Sequence, residues 1–251
     1  MPKLIVLGTS DAVPDEQHDN THMLLIGEER RVLVDCASNP VMRLRKIGVD
    51  PNSISDLIMT HFHPDHVSGV PLLLMNMWLL GRKHLINLYG LEHTVRLMEQ
   101  FLDAFEWERW LEFPVEIKRL RTSKMTPVLE AADFSIFSFP VKHFVPTVGL
   151  RFEFPNSGKV LAYTSDTAPT ANVAWLAQGA DVLLHEAAGA SEGHSSAAQA
   201  GEMASQAEAK ALYLIHYPTG DFDSKSLIRE ARRTYDGPVY LAEDFMEFVF
   251  D

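Results

Sequence analysis

Apolar positions along the chain fall into short runs that alternate with helix-spaced patterns. Residues 4–7, 23–26 and 32–34 predict strands, the last two joined by a turn around 27–30. A helix is expected over 39–47, with Pro40 suited to its first turn and Gly48 just past its end. A brief apolar strand at 57–59 runs directly into His61. Residues 70–80 and 91–105 carry helical spacing, with a strand at 86–89 between them. Strands follow at 115–118, 134–139, 148–154 and 160–164. After Asp166 the order changes to helix (170–178), strand (182–184), helix (195–206), strand (212–215), helix (224–235) and two strands (239–241, 247–250). This mixture predicts sheet layers covered by helices, an α/β class.

The 251 residues are 46% apolar and 22% charged, which excludes disorder, collagen and coiled coil. No repeat, low-complexity tract or Gly/Ser linker divides the chain, so residues 1–251 are expected to form a single domain. The longest nearly apolar run, 70–80, is far short of the roughly 20 residues of a membrane span. A net charge of -12 argues against broad nonspecific binding to nucleic acid or anionic membranes. The chain opens straight into a β-like run with no signal-peptide pattern, and its one cysteine, Cys36, has no partner for a disulfide. Both point to the reducing cytoplasm. Eleven histidines gather mainly at the ends of predicted strands, where loops carry function.

Thr60-His61-Phe62-His63-Pro64-Asp65-His66 places four potential ligands in six positions. His61 and His63, two apart on a strand or its extension, project to one side and can grip one ion. Asp65 and His66 follow through a turn begun by Pro64 and can face a second. A turn that merely capped a helix would need one polar residue, not this crowd of imidazoles.

This stretch is the HxHxDH signature, and the chain resembles the metallo-β-lactamase superfamily over nearly its whole length. The resemblance implies a four-layer αββα sandwich with the site at one edge. It implies that Asp35 orients the metal loop and that His143, Asp166 and His216 complete the ligand set. One ion would take His61, His63 and His143, and the other Asp65, His66 and His216. Asp166 and a hydroxide would bridge them. Such donors suit Zn²⁺, with Mn²⁺ or Fe²⁺ as alternatives. A pair of ions can activate water, hold a phosphoryl oxygen and stabilise an in-line displacement.

Three segments are similar to those of ribonuclease Z-type phosphodiesterases: 7–14 (LGTSDAVP), His185-Glu186-Ala187 with Gly193-His194-Ser195, and 241–246 (LAEDFM). That branch implies His194 as general acid beside the scissile phosphate and Glu186 as its support, with Asp65 both ligand and catalytic. A histidine is apt, because its pKa lies near working pH. Read without the resemblance, His194 is a loop residue ahead of a helix and Glu186 a structural salt-bridge partner. The branch's tRNA-processing members carry a glycine where Pro64 stands. They also carry a Gly/Pro-rich basic arm between the third histidine and the bridging aspartate. Here only 144–165 lies there, and Cys36-Ala37-Ser38-Asn39-Pro40 replaces their glycine-rich stretch. With the net acidity, this favours a small or flexible phosphodiester substrate, such as a cyclic nucleotide or a phospholipid-derived diester, over tRNA.

The competing readings are a ribonuclease Z-type tRNA 3′ endonuclease, a lactone or thioester hydrolase, an iron oxidoreductase and a scaffold without turnover. Diiron relatives commonly carry Glu where His63 stands. Among other residues, Cys36 is expected to be packed, and His22 is a candidate for the pocket mouth. Trp78, Trp107 and Trp110 are expected to cover the core or a homodimer face. Residues 101–124 form either a lid or an interface, and Lys118, Arg119, Arg121 and Lys124 form a solvated face or a phosphate-attracting one.

Overall fold

In a computed structural model describing all of residues 1–251, side-chain alternation along the strands decides the architecture. The first sheet contains β1 (Lys3–Gly8), β2 (His22–Ile26), β3 (Arg31–Val34), β4 (Asp56–Ile58), β5 (Ile86–Leu91), β6 (Val115–Leu120) and β14 (Glu247–Val249). Its order is β14-β1-β2-β3-β4-β5-β6. The second contains β7 (Thr126–Glu130), β8 (Ser135–Val141), β9 (Thr147–Phe154), β10 (Lys159–Tyr163), β11 (Val182–Glu186), β12 (Leu212–Ile215) and β13 (Val239–Leu241), in the order β13-β12-β11-β10-β9-β8-β7.

Leu4, Val6, Val32 and Val34 face Leu150, Phe152, Tyr163 and Ile215 in the core between the sheets. Their alternate neighbours Ile5, Leu7 and Leu33 face outward, onto Val41 and Leu44 of α1 (Pro40–Lys46), Leu73 of α3 (Val70–Leu79) and Met98 of α4 (Glu92–Asp103). On the other side Ala162, Leu183 and Leu214 pack beneath α5 (Ala171–Leu176), α6 (Ala197–Gln206) and α7 (Lys225–Ala231). The layers are therefore helix, sheet, sheet, helix, as the resemblance implied. No helix is long and apolar enough to cross a membrane.

Strand direction positions the site. In the first sheet β3 to β6 are parallel, and in the second β10 to β13 are parallel. Parallel neighbours need crossovers, which the helices supply. β8, antiparallel to β9 and so aligned with β10, ends at the same side. The carboxyl ends of β3 and β4 thus meet those of β8, β10, β11 and β12 along one edge of the sandwich. Three strand exits turn sharply there: Asp35, Ser165 and His216 have φ of 59, 53 and 50°. Left-handed backbone at non-glycine residues is costly and clusters at functional sites.

Besides two short 3-10 turns at Pro51–Ser53 and Trp107–Arg109, two elements differ from expectation. β7 was not predicted, and Pro64 opens a short helix, α2 (Pro64–Val67), rather than a turn.

Candidate metal centre

The centre is built from strand exits. β3 delivers Asp35, whose fully buried carboxylate accepts from the Thr60 amide (2.8 Å), the Thr60 hydroxyl (2.9 Å) and His66 Nδ1 (2.8 Å). Because Nδ1 is the donor, Nε2 of His66 is left to face inward. Thr60 Oγ1 lies 3.1 Å from His61 Nδ1 and accepts from Ser165 Oγ at 3.0 Å, which links the exits of β4 and β10. Beyond β8, His143 Nδ1 donates to the Gly193 carbonyl at 2.8 Å. Beyond β12, His216 Nδ1 donates to Thr21 Oγ1 at 3.2 Å, and that hydroxyl in turn donates to the Ser10 carbonyl. Each ring is locked by one nitrogen and presents the other, the arrangement that protein metal sites use to fix imidazoles.

All seven expected ligands converge. His61, His63, His143 and Asp166 bring one donor atom each within 4.8 Å of one another, as do Asp65, His66, Asp166 and His216. In the first group His61 Nε2 and His143 Nε2 both lie 3.1 Å from His63 Nδ1. One nitrogen cannot satisfy two others with a single proton. Two ligands at 2.0–2.1 Å from one tetrahedral Zn²⁺ would stand ~3.3 Å apart, close to what is seen. In the second group Asp166 Oδ1 is 3.5 Å from His66 Nε2, Asp166 Oδ2 is 3.3 Å from His216 Nε2, and Asp65 Oδ2 is 3.5 Å from His66 Nε2. His66 Nε2 and Asp166 Oδ1 are buried with no hydrogen-bond partner. Buried polar atoms are rarely left orphaned. These donors fit two divalent cations sharing Asp166, with imidazole and carboxylate suiting Zn²⁺ or harder ions.

The rings differ electrostatically: burial opposes a charge on His66, but the Asp166 and Asp35 carboxylates outweigh it and hold that ring well above the ordinary histidine value. Burial opposes ionisation of Asp166, yet the His216 and His66 rings hold its carboxyl well below the usual carboxylate range. Burial pushes His61 well below the ordinary histidine value, and the neighbouring His66 adds to this. A neutral imidazole is the form that ligates.

Beside the clusters, Glu186 at the end of β11 is fully buried. It accepts from His194 Nδ1 at 3.0 Å, from the Thr167 and Ser195 amides at 2.9 and 3.2 Å, and from the Ala188 amide at 2.9 Å. Burial pulls His194 down, but its hydrogen bond and attraction to Glu186 prevail and raise it. The His194 ring stands 4.8 Å from that of His143 and stacks at 6.1 Å with that of His216. A cavity of about 250 Å³ opens here, lined by Asp11, Val13, His63, Asp65, Ser191 and His194 among others, with no lysine or arginine.

Other expected residues sit elsewhere. His22 is fully buried, with Nδ1 on the Asn20 carbonyl at 2.8 Å, and does not line the cavity. Cys36 is buried. Lys118 pairs with Glu116, Arg119 with Glu92 and Glu99, and Lys124 lies over Trp175. Trp78 and Trp110 pack together at 5.8 Å in the outer layer of the first sheet. No residue of 101–124 lines the cavity. Sequence reasoning missed Thr21, Thr60 and Gly193, which orient the ligands. Thr60 and Gly193 carried a signal, standing next to His61 and His194, and Thr21 carried none.

A family model described as the Beta-lactamase superfamily domain matches residues 30–217. The chain belongs to the beta-lactamase superfamily. A ribonuclease Z of Methanothermobacter thermautotrophicus is 25% identical over 301 aligned positions, covering 98% of this chain and 96% of the relative. Among solved structures, the metallo-beta-lactamase fold protein YhfI from Bacillus subtilis superposes with a TM-score of 0.83 at 22% identity, covering 98% of each chain. Human tRNase Z, short form, gives 0.79 at 23% identity, covering 99% of each. Superfamily and ribonuclease Z-like branch agree with the motifs, and the chain is a metal-dependent hydrolase of the superfamily.

Proposed function

We propose that this protein hydrolyses phosphodiester bonds in a small or flexible substrate, such as a cyclic nucleotide, and that it works in the cytoplasm. His61, His63 and His143 would hold one divalent ion, Asp65, His66 and His216 the other, and Asp166 both, with Zn²⁺ the first choice. Bound there, the ions would supply Lewis acidity to the phosphoryl oxygens and lower the pKa of a water. Asp65, a ligand at the cavity wall, also accepts the proton of the attacking water. His194 donates its Nε2 proton to the leaving oxygen, and Glu186 keeps the ring charged and aimed. Glu186 also accepts from the Thr167 amide, so the same carboxylate steadies the loop carrying Asp166.

The observation that carries this reading is the His194–Glu186 contact of 3.0 Å on the rim of the two ligand clusters. A proton donor beside the ions serves a poor alkoxide leaving group, as in a phosphodiester. The test is hydrolysis of bis(p-nitrophenyl) phosphate and of an alkyl diester with added Zn²⁺ or Mn²⁺. His63→Ala should lose metal and rate together. His194→Ala should keep its metal and lose about 10²–10⁴-fold on the alkyl diester, the usual worth of general acid catalysis. It should lose far less on p-nitrophenolate, which leaves without a proton. Equal losses on both would remove His194 from the acid role.

A second reading, cleavage of tRNA precursors at the 3′ end, is favoured by the ribonuclease Z relative's cover of 98% of this chain. Against it, that alignment spans 301 positions, more than the 251 residues here, so the relative carries stretches without a counterpart. Between His143 and Asp166 there is only the β9–β10 hairpin. Cleavage of a precursor tRNA at the rate of a small diester would decide for the second reading.

A further inference from the structure

Phe144 follows His143 directly and is 57% exposed, although it stands at the densest chemistry of the molecule. Its ring centroid lies 5.0 Å from that of His143 and 5.9 Å from that of His194. It is also held in place. Gly193 has φ of +78°, and a Cβ there would come within 3.1 Å of Phe144 Cδ2 and Cε2 and 3.0 Å of His143 Nδ1. The absent side chain at 193 lets the ring settle against backbone while much of it stays open to solvent. A lone exposed aromatic is ordinary on a protein surface. One fixed beside the group that protonates the leaving oxygen, itself a wall of a cavity lined by no lysine or arginine, has a use.

We propose that Phe144 is a stacking platform for a nucleobase carried by the leaving alcohol, which makes nucleoside phosphodiesters the substrate class. The proposal rests on the phosphodiesterase reading above. The ring borders His194, so a base joined through one sugar to the oxygen that His194 protonates reaches it. Offset stacking on a ring already fixed loses little side-chain freedom and tolerates any base. The cavity offers Asp11 and Asp65 but no lysine or arginine, so selectivity from a neutral planar group suits it better than attraction of further phosphates.

The test compares the metal-loaded full chain on adenylyl-adenosine and on the same sugar-phosphate diester with hydrogen in place of both bases. The wild type should prefer the base-bearing diester by about tenfold in kcat/KM, the usual worth of one stacked base. Phe144→Ala should bring that ratio near one, and Phe144→Trp should keep or raise it. An unchanged ratio in Phe144→Ala overturns the platform. Binding is read separately: AMP should quench the fluorescence that Phe144→Trp adds over wild type, and ribose 5-phosphate should not. Quenching by neither or by both overturns the proposal. Failure of every diester to turn over while AMP alone quenches would instead fault the phosphodiesterase reading.

Discussion

His185 precedes Glu186 in β11 but, by the alternation of the strand, shares a side with Leu183, which packs beneath the helices. It is fully buried, its Nδ1 donates to the Glu186 carbonyl at 2.8 Å, and its Nε2 has no partner. Burial lowers its pKa from 6.5 to about 4. Between those values the unfolded chain binds a proton that the folded chain refuses. The stabilisation is therefore whole above pH 6.5 and is lost as pH falls toward 4, a contribution of about 3 kcal/mol. Urea titrations from pH 7 to pH 4 should show wild type losing that much more stability than His185→Leu. Parallel curves would refute the account. At this scale the candidate ligands were legible because His61, His63, Asp65 and His66 crowd one strand exit. Asp35 was legible as an orienting partner only through the family resemblance, and the partners of His216 and His143 were not, since Thr21 meets His216 across 195 positions and Gly193 meets His143 across 50. No local pattern encodes such contacts.

Elements hold those residues through close backbone approach. The loop after Asp35 and the helix of the HxHxDH stretch are stitched by two bonds, Cys36 amide to His66 carbonyl at 2.7 Å and Gly69 amide to Cys36 carbonyl at 2.8 Å. A Cβ on Gly69 would meet the carbonyl oxygens of Cys36, Ala37 and Ser38 at 2.9 to 3.0 Å, with backbone and no flexible side chain to yield. Gly69→Ala should therefore cost about 1–3 kcal/mol, the range for overpacking. Because the forced shift begins at the Asp35 loop, it should also weaken metal binding at the Asp65–His66–His216 group more than at the other. Denaturation with metal analysis checks both, and a variant as stable as wild type would show that the loop gives way freely. The hidden element is equally physical. β7 reads Thr-Pro-Val-Leu-Glu, its register shifts between Pro127 and Leu129, and it forms an edge of its sheet. Proline is tolerated on an edge strand, but proline and a bulge erase the alternation by which strands are recognised. α2 has four residues, too few to show a helical period.

For the whole molecule, the decisive feature is that each candidate ligand group draws on both sheets. His61 and His63 come from the exit of β4 in the first sheet, and His143 from the exit of β8 in the second. Likewise Asp65 and His66 belong to the first sheet and His216 to the second. The apolar core joins the sheets along their length, whereas the site edge is closed by polar atoms, some of them orphaned. An ion bound at either group would tie the sheets together at that edge, and it would bind the folded chain only. At 100 times its dissociation constant such a ligand adds about 2.7 kcal/mol. For a chain of this size that corresponds to a melting temperature about 5–10 °C higher. Thermal unfolding in chelator and then across a Zn²⁺ titration should show that rise, continuing logarithmically past saturation. His63→Ala and His216→Ala, each removing a donor from a different sheet, should both shrink it, as expected of a clamp that fails from either side. If His63→Ala alone removed the rise and His216→Ala left it whole, metal would be stabilising one sheet's loop rather than the junction.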